Sequence, residues 1–151
     1  MPILFYGTKE MPYGCFSNFS AHPFTLENIQ WRTSEHYFQA MKFYPHWDHI
    51  NALRAMPSPM QVAKAGRSRE RPLRTDWEEV KDDIMRKAVL AKFSQHPDIA
   101  LVLQGTGNED LIENTTNDHY WGCGSSGTGK NMLGIILMET REILRAEKEK
   151  T

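Results

Sequence analysis

The run Phe24-Thr25-Leu26-Glu27-Asn28-Ile29-Gln30-Trp31-Arg32-Thr33-Ser34-Glu35-His36-Tyr37-Phe38-Gln39-Ala40-Met41-Lys42-Phe43-Tyr44 changes its period part-way. From Phe24 to Trp31 apolar and polar residues alternate around Glu27-Asn28, the pattern of a hairpin. From Thr33 onward the pattern becomes helical. Thr33 and Ser34 are both good N-caps, and the helix has to stop before Pro45, which predicts a helix from about Ser34 to Tyr44. Glu35 then lies in the first turn, where the helix dipole favours an ionised carboxylate. Gln39 and Lys42 follow at i+4 and i+7 on the same face, which sets Glu35 and Lys42 roughly 10 Å apart. Tyr37, Ala40, Met41 and Tyr44 point elsewhere. A charged carboxylate and a lysine on one face can act on a single ligand. A solvated face with ordinary surface charges has the same spacing.

Outward from this run, Ile3 to Tyr6 is apolar and aromatic, as in a short strand, and Gly14 to Ser20 is turn-like. Ser58 with Pro59 predicts a helix start, and Gly66 a helix end. Thr75-Asp76-Trp77-Glu78 reads as a capping box. Trp77, Val80, Ile84, Ala88 and Ala91 then recur at helical spacing to about Phe93. Pro97 opens another short helix that ends near Gly105. Thr106 to Tyr120 reads as loop with one short strand, Leu111 to Glu113. Asn131 to Lys148 reads as a long helix with Met132, Leu133, Ile136, Ile143 and Leu144 inward, and the polar end Arg145 to Thr151 is expected to fray. The sum is a helix-rich α+β fold with a small N-terminal antiparallel sheet, in a single domain over residues 1–151.

The totals narrow the classes. The chain is 40% hydrophobic and 25% charged, ordinary for a soluble globular protein. Mean hydropathy is -0.57, and the longest apolar run, Ile135 to Met138, is too short to span a bilayer. No signal peptide is read at the start, and the two cysteines, Cys15 and Cys123, form neither a disulfide framework nor a zinc pattern, which fits a cytoplasmic protein. The net charge is -1, against the basic balance of a dedicated duplex binder. The one local excess, Arg67, Arg69, Arg71 and Arg74, can grip phosphates or form a solvated loop beside Glu78, Glu79, Asp82 and Asp83.

Gly124-Ser125-Ser126-Gly127-Thr128-Gly129-Lys130-Asn131 nearly matches a P-loop. Asn131 lacks the hydroxyl that holds magnesium, and no buried strand precedes the run. A glycine-rich turn into a helix can still receive phosphate on free backbone N–H groups; it can also be a flexible loop that lets Trp121 pack. Of the four tryptophans, Trp77 and Trp121 are placed to stack on a base, although packing is the commoner task. The six histidines form no metal-ligand spacing.

Several segments, in order and over nearly the whole chain, resemble the NADAR (YbiA-like) family. They are Gly14-Cys15-Phe16-Ser17-Asn18-Phe19, Trp31 to Phe43, Ala65-Gly66-Arg67, Asp76-Trp77, Val80 with Met85, Lys92-Phe93, Leu103, Thr106-Gly107, Leu111-Ile112-Glu113, Asp118, Trp121-Gly122 and Asn131-Met132-Leu133-Gly134. The resemblance implies an N-glycosidase that needs no metal or organic cofactor. It implies a small ribosylated base as substrate: a phosphoribosylated pyrimidine of riboflavin synthesis, or ADP-ribose on a base, including guanine in DNA. The family's catalytic glutamate and lysine fall on Glu35 and Lys42.

Cleaving a ribosyl C1'–N bond builds positive charge on the sugar. Glu35 can stabilise that charge or activate water. Lys42 can protonate the leaving base or, if desolvated, attack C1' and form a Schiff base. Asp118 can hold a ribose hydroxyl or assist proton transfer. The substrate-binding set expected beside them is Asn18, Phe19, Arg67, Arg69, Trp77, Trp121, Gly122, Gly124 and Asn131. The rivals are a non-catalytic module that holds ADP-ribose or NAD, a P-loop phosphotransferase, and a protein that only contacts a partner.

Overall fold

A computed structural model describes residues 1–150, and Thr151 lies outside the described residues. In chain order the elements are β1 (Ile3–Phe5), β2 (Phe24–Leu26), β3 (Ile29–Trp31), α1 (Ser34–Ala40), α2 (Trp47–Arg54), α3 (Pro59–Arg67), α4 (Trp77–Gln95), α5 (Pro97–Gly105), β4 (Leu111–Glu113) and α6 (Met132–Glu149), with 3-10 turns at Tyr13–Phe16 and Met41–Phe43. They form two compact units. One is Asn18–Lys92; the other joins Met1–Ser17 to the chain from Phe93 onward.

The Asn18–Lys92 unit holds the antiparallel hairpin. Phe24 pairs with Trp31 and Leu26 with Ile29. Glu27 and Asn28 both take positive φ, 52° and 68°, as the tight turn of a two-residue hairpin requires. Helix α1 starts where the sequence places it: the Thr33 hydroxyl accepts the His36 N–H at 3.1 Å. It does not reach Tyr44, because the chain tightens into a 3-10 turn at Met41. Helix α3 opens on a full capping box, Ser58 and Gln61 bonding each other's backbone N–H with Pro59 inside. Helix α4 begins at Trp77, and the Asp76 carboxylate beside it accepts from Arg74 at 2.6 and 3.0 Å. Helix α2 has no counterpart in the sequence reading, since His46 offers its start no side-chain cap.

His36 is fully buried and wired at both ring nitrogens. Nδ1 lies 2.8 Å from the Thr33 hydroxyl and Nε2 lies 2.9 Å from the Met56 carbonyl. The carbonyl can only accept, so Nε2 carries a proton. Burial holds its pKa below the usual value, and the Arg32 charge adds to this against the pull of the Met56 carbonyl. The unfolded chain therefore takes up this proton first as pH falls below about 6.5, and stability drops in that window. His36→Gln lacks this term, so its deficit in urea midpoint relative to wild type is expected to shrink from pH 7 to pH 5. A constant deficit would remove the assignment.

In the other unit, β1 does not join the hairpin. It pairs in parallel with β4, Ile3 opposite Leu111 and Phe5 opposite Glu113. Phe16 packs edge-on against Phe5 at 5.6 Å and meets Phe93 at 6.1 Å. Helix α6 comes so close to β4 that a methyl group on Gly134 would collide with the Leu111 carbonyl. Buried Arg141 ties α6 back to the end of α5, donating to the Thr106 hydroxyl and the Glu109 carbonyl at 2.9 Å each. Helix α6 continues past Arg145 to Glu149, and Arg145 donates to Gly107 O at 2.8 Å. Among the described residues no helix is long and apolar enough to cross a membrane.

Candidate active site

The polar face of α1 is an interior wall. Glu35, Gln39 and Lys42 keep only 8%, 5% and 8% of their surface exposed, which overturns the reading of a solvated face. Gln39 Nε2 donates to Glu35 Oε2 at 2.7 Å. The start of the helix is anchored by Asn18, whose carbonyl accepts the Glu35 N–H at 3.1 Å and whose side-chain oxygen accepts the Ser34 hydroxyl at 2.9 Å. Asn18 thus fixes the backbone behind Glu35.

Lys42 sits in the 3-10 turn rather than on α1. That turn is clamped by Arg74, whose backbone N–H donates to the Lys42 carbonyl at 2.9 Å and whose guanidinium donates to the Met41 carbonyl at 3.3 Å. The ammonium donates to the Gly66 carbonyl at 3.3 Å and lies 5.8 Å from the ring centres of both Phe38 and Trp77. Burial pushes Lys42 down to about 8, Arg69, Arg67 and Lys81 push the same way, and Glu35 pulls against them. The lysine is therefore close to its switching point near neutral pH.

Gly66 is inside the last turn of α3, and the helix continues to Arg67. Packing, not helix termination, accounts for the glycine: a methyl group there would collide with Gln39 Oε1 and the Gln39 side chain behind it. Gly66→Ala must push α1 from α3 or dislodge Gln39 from Glu35. It is expected to cost about 1–3 kcal/mol and to lower turnover, measured by urea unfolding and a base-release assay. Unchanged values in both would show that the wall tolerates the methyl.

The other expected residues fall into two groups. Arg67 and Arg69 are exposed, and Arg69 donates to the same Gly66 carbonyl at 3.2 Å. Phe19 is half-buried. Trp77 is buried, meets Phe38 edge-on at 5.0 Å and with it flanks the lysine. Asp118, Trp121, Gly122, Gly124 and Asn131 belong to the other unit. There Asp118 Oδ1 accepts the N–H groups of Tyr120 and Trp121 at 2.9 and 2.8 Å, holding the loop. Asn131 bonds β4 on both sides, accepting from Glu113 N at 2.9 Å and donating to Leu111 O at 2.8 Å. The amides entering α6 are spent on the loop itself: Lys130 N on His119 O, Asn131 N on Gly122 O, Met132 N on Tyr120 O and Leu133 N on Trp121 O. These four amides are thus bonded within the loop. Gly122 and Gly124 are there because side chains would strike Thr115 and His119.

A separate cavity of about 700 Å3 is walled by Trp31, Tyr37, Met41, Tyr44, Trp47 and Arg74 among others, and neither Glu35 nor Lys42 lines it. Sequence reasoning missed Phe38 as a wall of the lysine site. It is four residues before Lys42, the spacing that puts the ring beneath the ammonium. Among the described residues no three His, Cys, Asp or Glu side chains gather as a metal site.

A profile of the NADAR domain matches residues 4–145. The chain belongs to the NADAR family. N-glycosidase YbiA of Escherichia coli is 49% identical over 146 residues, 97% of this chain and 90% of that protein. The NMR structure of E. coli YbiA superimposes with a TM-score of 0.91 at 48% identity, covering 100% of this chain and 89% of the other. An N-glycosidase from Nostoc punctiforme is 48% identical over 96% of this chain and 94% of its own length. A chloroplastic riboflavin biosynthesis protein of Zea mays is 39% identical over 94% of this chain, which matches 25% of the maize protein. The NADAR membership covers both units, and the fold agrees with that of YbiA.

Proposed function

We propose that this enzyme is an N-glycosidase that hydrolyses the C1'–N bond of a phosphoribosylated base, with Lys42 as nucleophile and Glu35 as its carboxylate partner. The observation that carries the proposal is the interior wall where a desolvated lysine with a pKa of about 8 lies within reach of the Glu35 charge. The names of the relatives support the reaction class, and the riboflavin relative favours a phosphoribosylaminopyrimidine over ADP-ribosylated guanine as substrate. The net charge of -1 points the same way, away from tight duplex binding.

In this scheme the free amine of Lys42 attacks C1' as the C1'–N bond breaks, and the departing base keeps the electron pair and takes up the proton that the attacking amine loses. Glu35 stabilises the positive charge on the ribosyl group. The ring opens to a Schiff base, and water activated by Glu35 hydrolyses it, restoring the amine and releasing ribose phosphate. Exposed Arg67 and Arg69 supply positive charge for the phosphate. The reaction requires no metal or organic cofactor and takes place in the cytoplasm.

The test is a product assay without metal on a phosphoribosylaminopyrimidine and, separately, on an oligonucleotide bearing ADP-ribosylated guanine. Free base from the first, lost in Glu35→Gln, supports the proposal; release from the second alone moves the substrate class. The pH profile decides the role of Lys42. A nucleophile must be deprotonated, so kcat/KM should rise through about pH 8; a general acid would make it fall. Borohydride should also trap a covalent adduct on wild type and none on Lys42→Met.

A further inference from the structure

We propose that Gln39 is a positioning residue that holds the Glu35 carboxylate in one orientation and in its ionised form, an inference that rests on the reading of Glu35 as the working acid group. The Gln39 amide donates to Glu35 Oε2 at 2.7 Å, and both side chains are more than nine-tenths buried. A carboxylate removed from water stays ionised only where donors replace the lost hydration. The reverse orientation of the amide would set its oxygen against a carboxylate oxygen, so the arrangement has one stable sense.

Two other features of the fold accompany this bond. Gln39 Oε1 is buried without a hydrogen-bond partner among the described residues. An unpaired buried oxygen of this kind costs about 1–3 kcal/mol. It also fits only because Gly66 has no side chain. An apolar side chain such as leucine has no oxygen to orphan here, but it also has no N–H for Glu35. The orphaned oxygen is a cost of having an amide at position 39, and what the amide gives in return is its N–H on Glu35. The charged groups that act on Lys42 beside this pair are Arg67 at the end of α3, Arg69 in the loop that follows and Lys81 on α4, and Glu35 is the acid among them. On α2, which also packs against α1, Asp48 is exposed and His49 and Arg54 are half-buried.

The experiment is a 13C titration of the Glu35 side-chain carboxyl, assigned with Glu35→Gln, in wild type, Gln39→Leu and the isosteric Gln39→Glu. In Gln39→Leu the carboxyl should titrate about one pH unit or more higher, with kcat down about 10–100-fold and KM within about threefold. In Gln39→Glu two carboxylates share one site, so the lower break of the kcat/KM profile should move up and part of the lost rate return as pH is raised. If Gln39→Leu fails to fold, Gln39→Glu carries the test. A Glu35 carboxyl that titrates at its wild-type pH in a folded variant overturns the assignment. The titration needs no turnover, so a wild-type protein that cleaves neither substrate would defeat the proposed function and leave this inference to be judged by the carboxyl alone.

Discussion

Lys42→Met is expected to abolish turnover and make the protein more stable. Below about pH 8 the wild type holds an ammonium in a site that disfavours it, pushed down from 10.5 to about 8 chiefly by burial and then by Arg69. Methionine keeps the length and removes the charge, in a site whose walls are the Phe38 and Trp77 rings. The Gly66 carbonyl is not orphaned by the change, because Arg69 still donates to it at 3.2 Å. Discounting for solvent at the edge of the site, the gain is about 1–3 kcal/mol at pH 7, or about 2–10 °C in Tm. The sign with pH follows from linkage. Between about 8 and 10.5 the unfolded chain binds the proton and the folded chain does not, so wild-type stability rises across that window and the methionine variant loses its advantage there. Thermal melts at pH 7 and pH 10 measure both effects. A variant less stable than wild type at pH 7 would show that the ammonium contributes more through its contacts than its burial costs.

Glu35→Gln should lower kcat by about 10²–10⁴-fold while substrate binding and the fold persist. The substitution is nearly isosteric, and an amide oxygen at position 35 can still accept from Gln39 Nε2, now at 2.7 Å from the carboxylate. What disappears is the negative charge. It currently pulls the Lys42 pKa upward, so without it the lysine should lose its proton at lower pH. Any residual activity should therefore have its upper pKa shifted down, a signature that a change in folding would not give. Wild-type kcat in this variant would remove Glu35 from the chemistry.

The legible parts of this fold have a local cause. The hairpin turn at Glu27-Asn28, the Thr33 and Ser58 caps and the strand at Leu111 each follow from a few neighbouring residues, and the structure has all of them. Parallel pairing of β1 with β4 depends on residues far apart in sequence and leaves no short-range pattern. Helix α2 lacks a side-chain cap, and the burial that stabilises it comes from Ile50 and Leu53, two apolar positions in a polar stretch. For the site, spacing alone put Glu35, Gln39 and Lys42 on one face but left their environment open, because i+4 and i+7 describe a solvated stripe as well as an interior wall. What decides between them is Gly66, read from sequence as a helix end and found to be where α3 closes on Gln39. After the glycine-rich turn, the amides of Lys130 to Leu133 bond the carbonyls of His119, Gly122, Tyr120 and Trp121, pairings that the glycine pattern does not announce.

The division of the chain has a consequence for its synthesis. Ile3 to Phe5 leave the ribosome long before their partners Leu111 to Glu113, and they wait unpaired through the whole of the Asn18–Lys92 unit. The partners named above for Glu35, Gln39 and Lys42 all lie between Asn18 and Lys92 and are already free of the tunnel by then. The lysine wall can thus assemble while translation is still running, and the strand pair that closes the other unit comes afterwards.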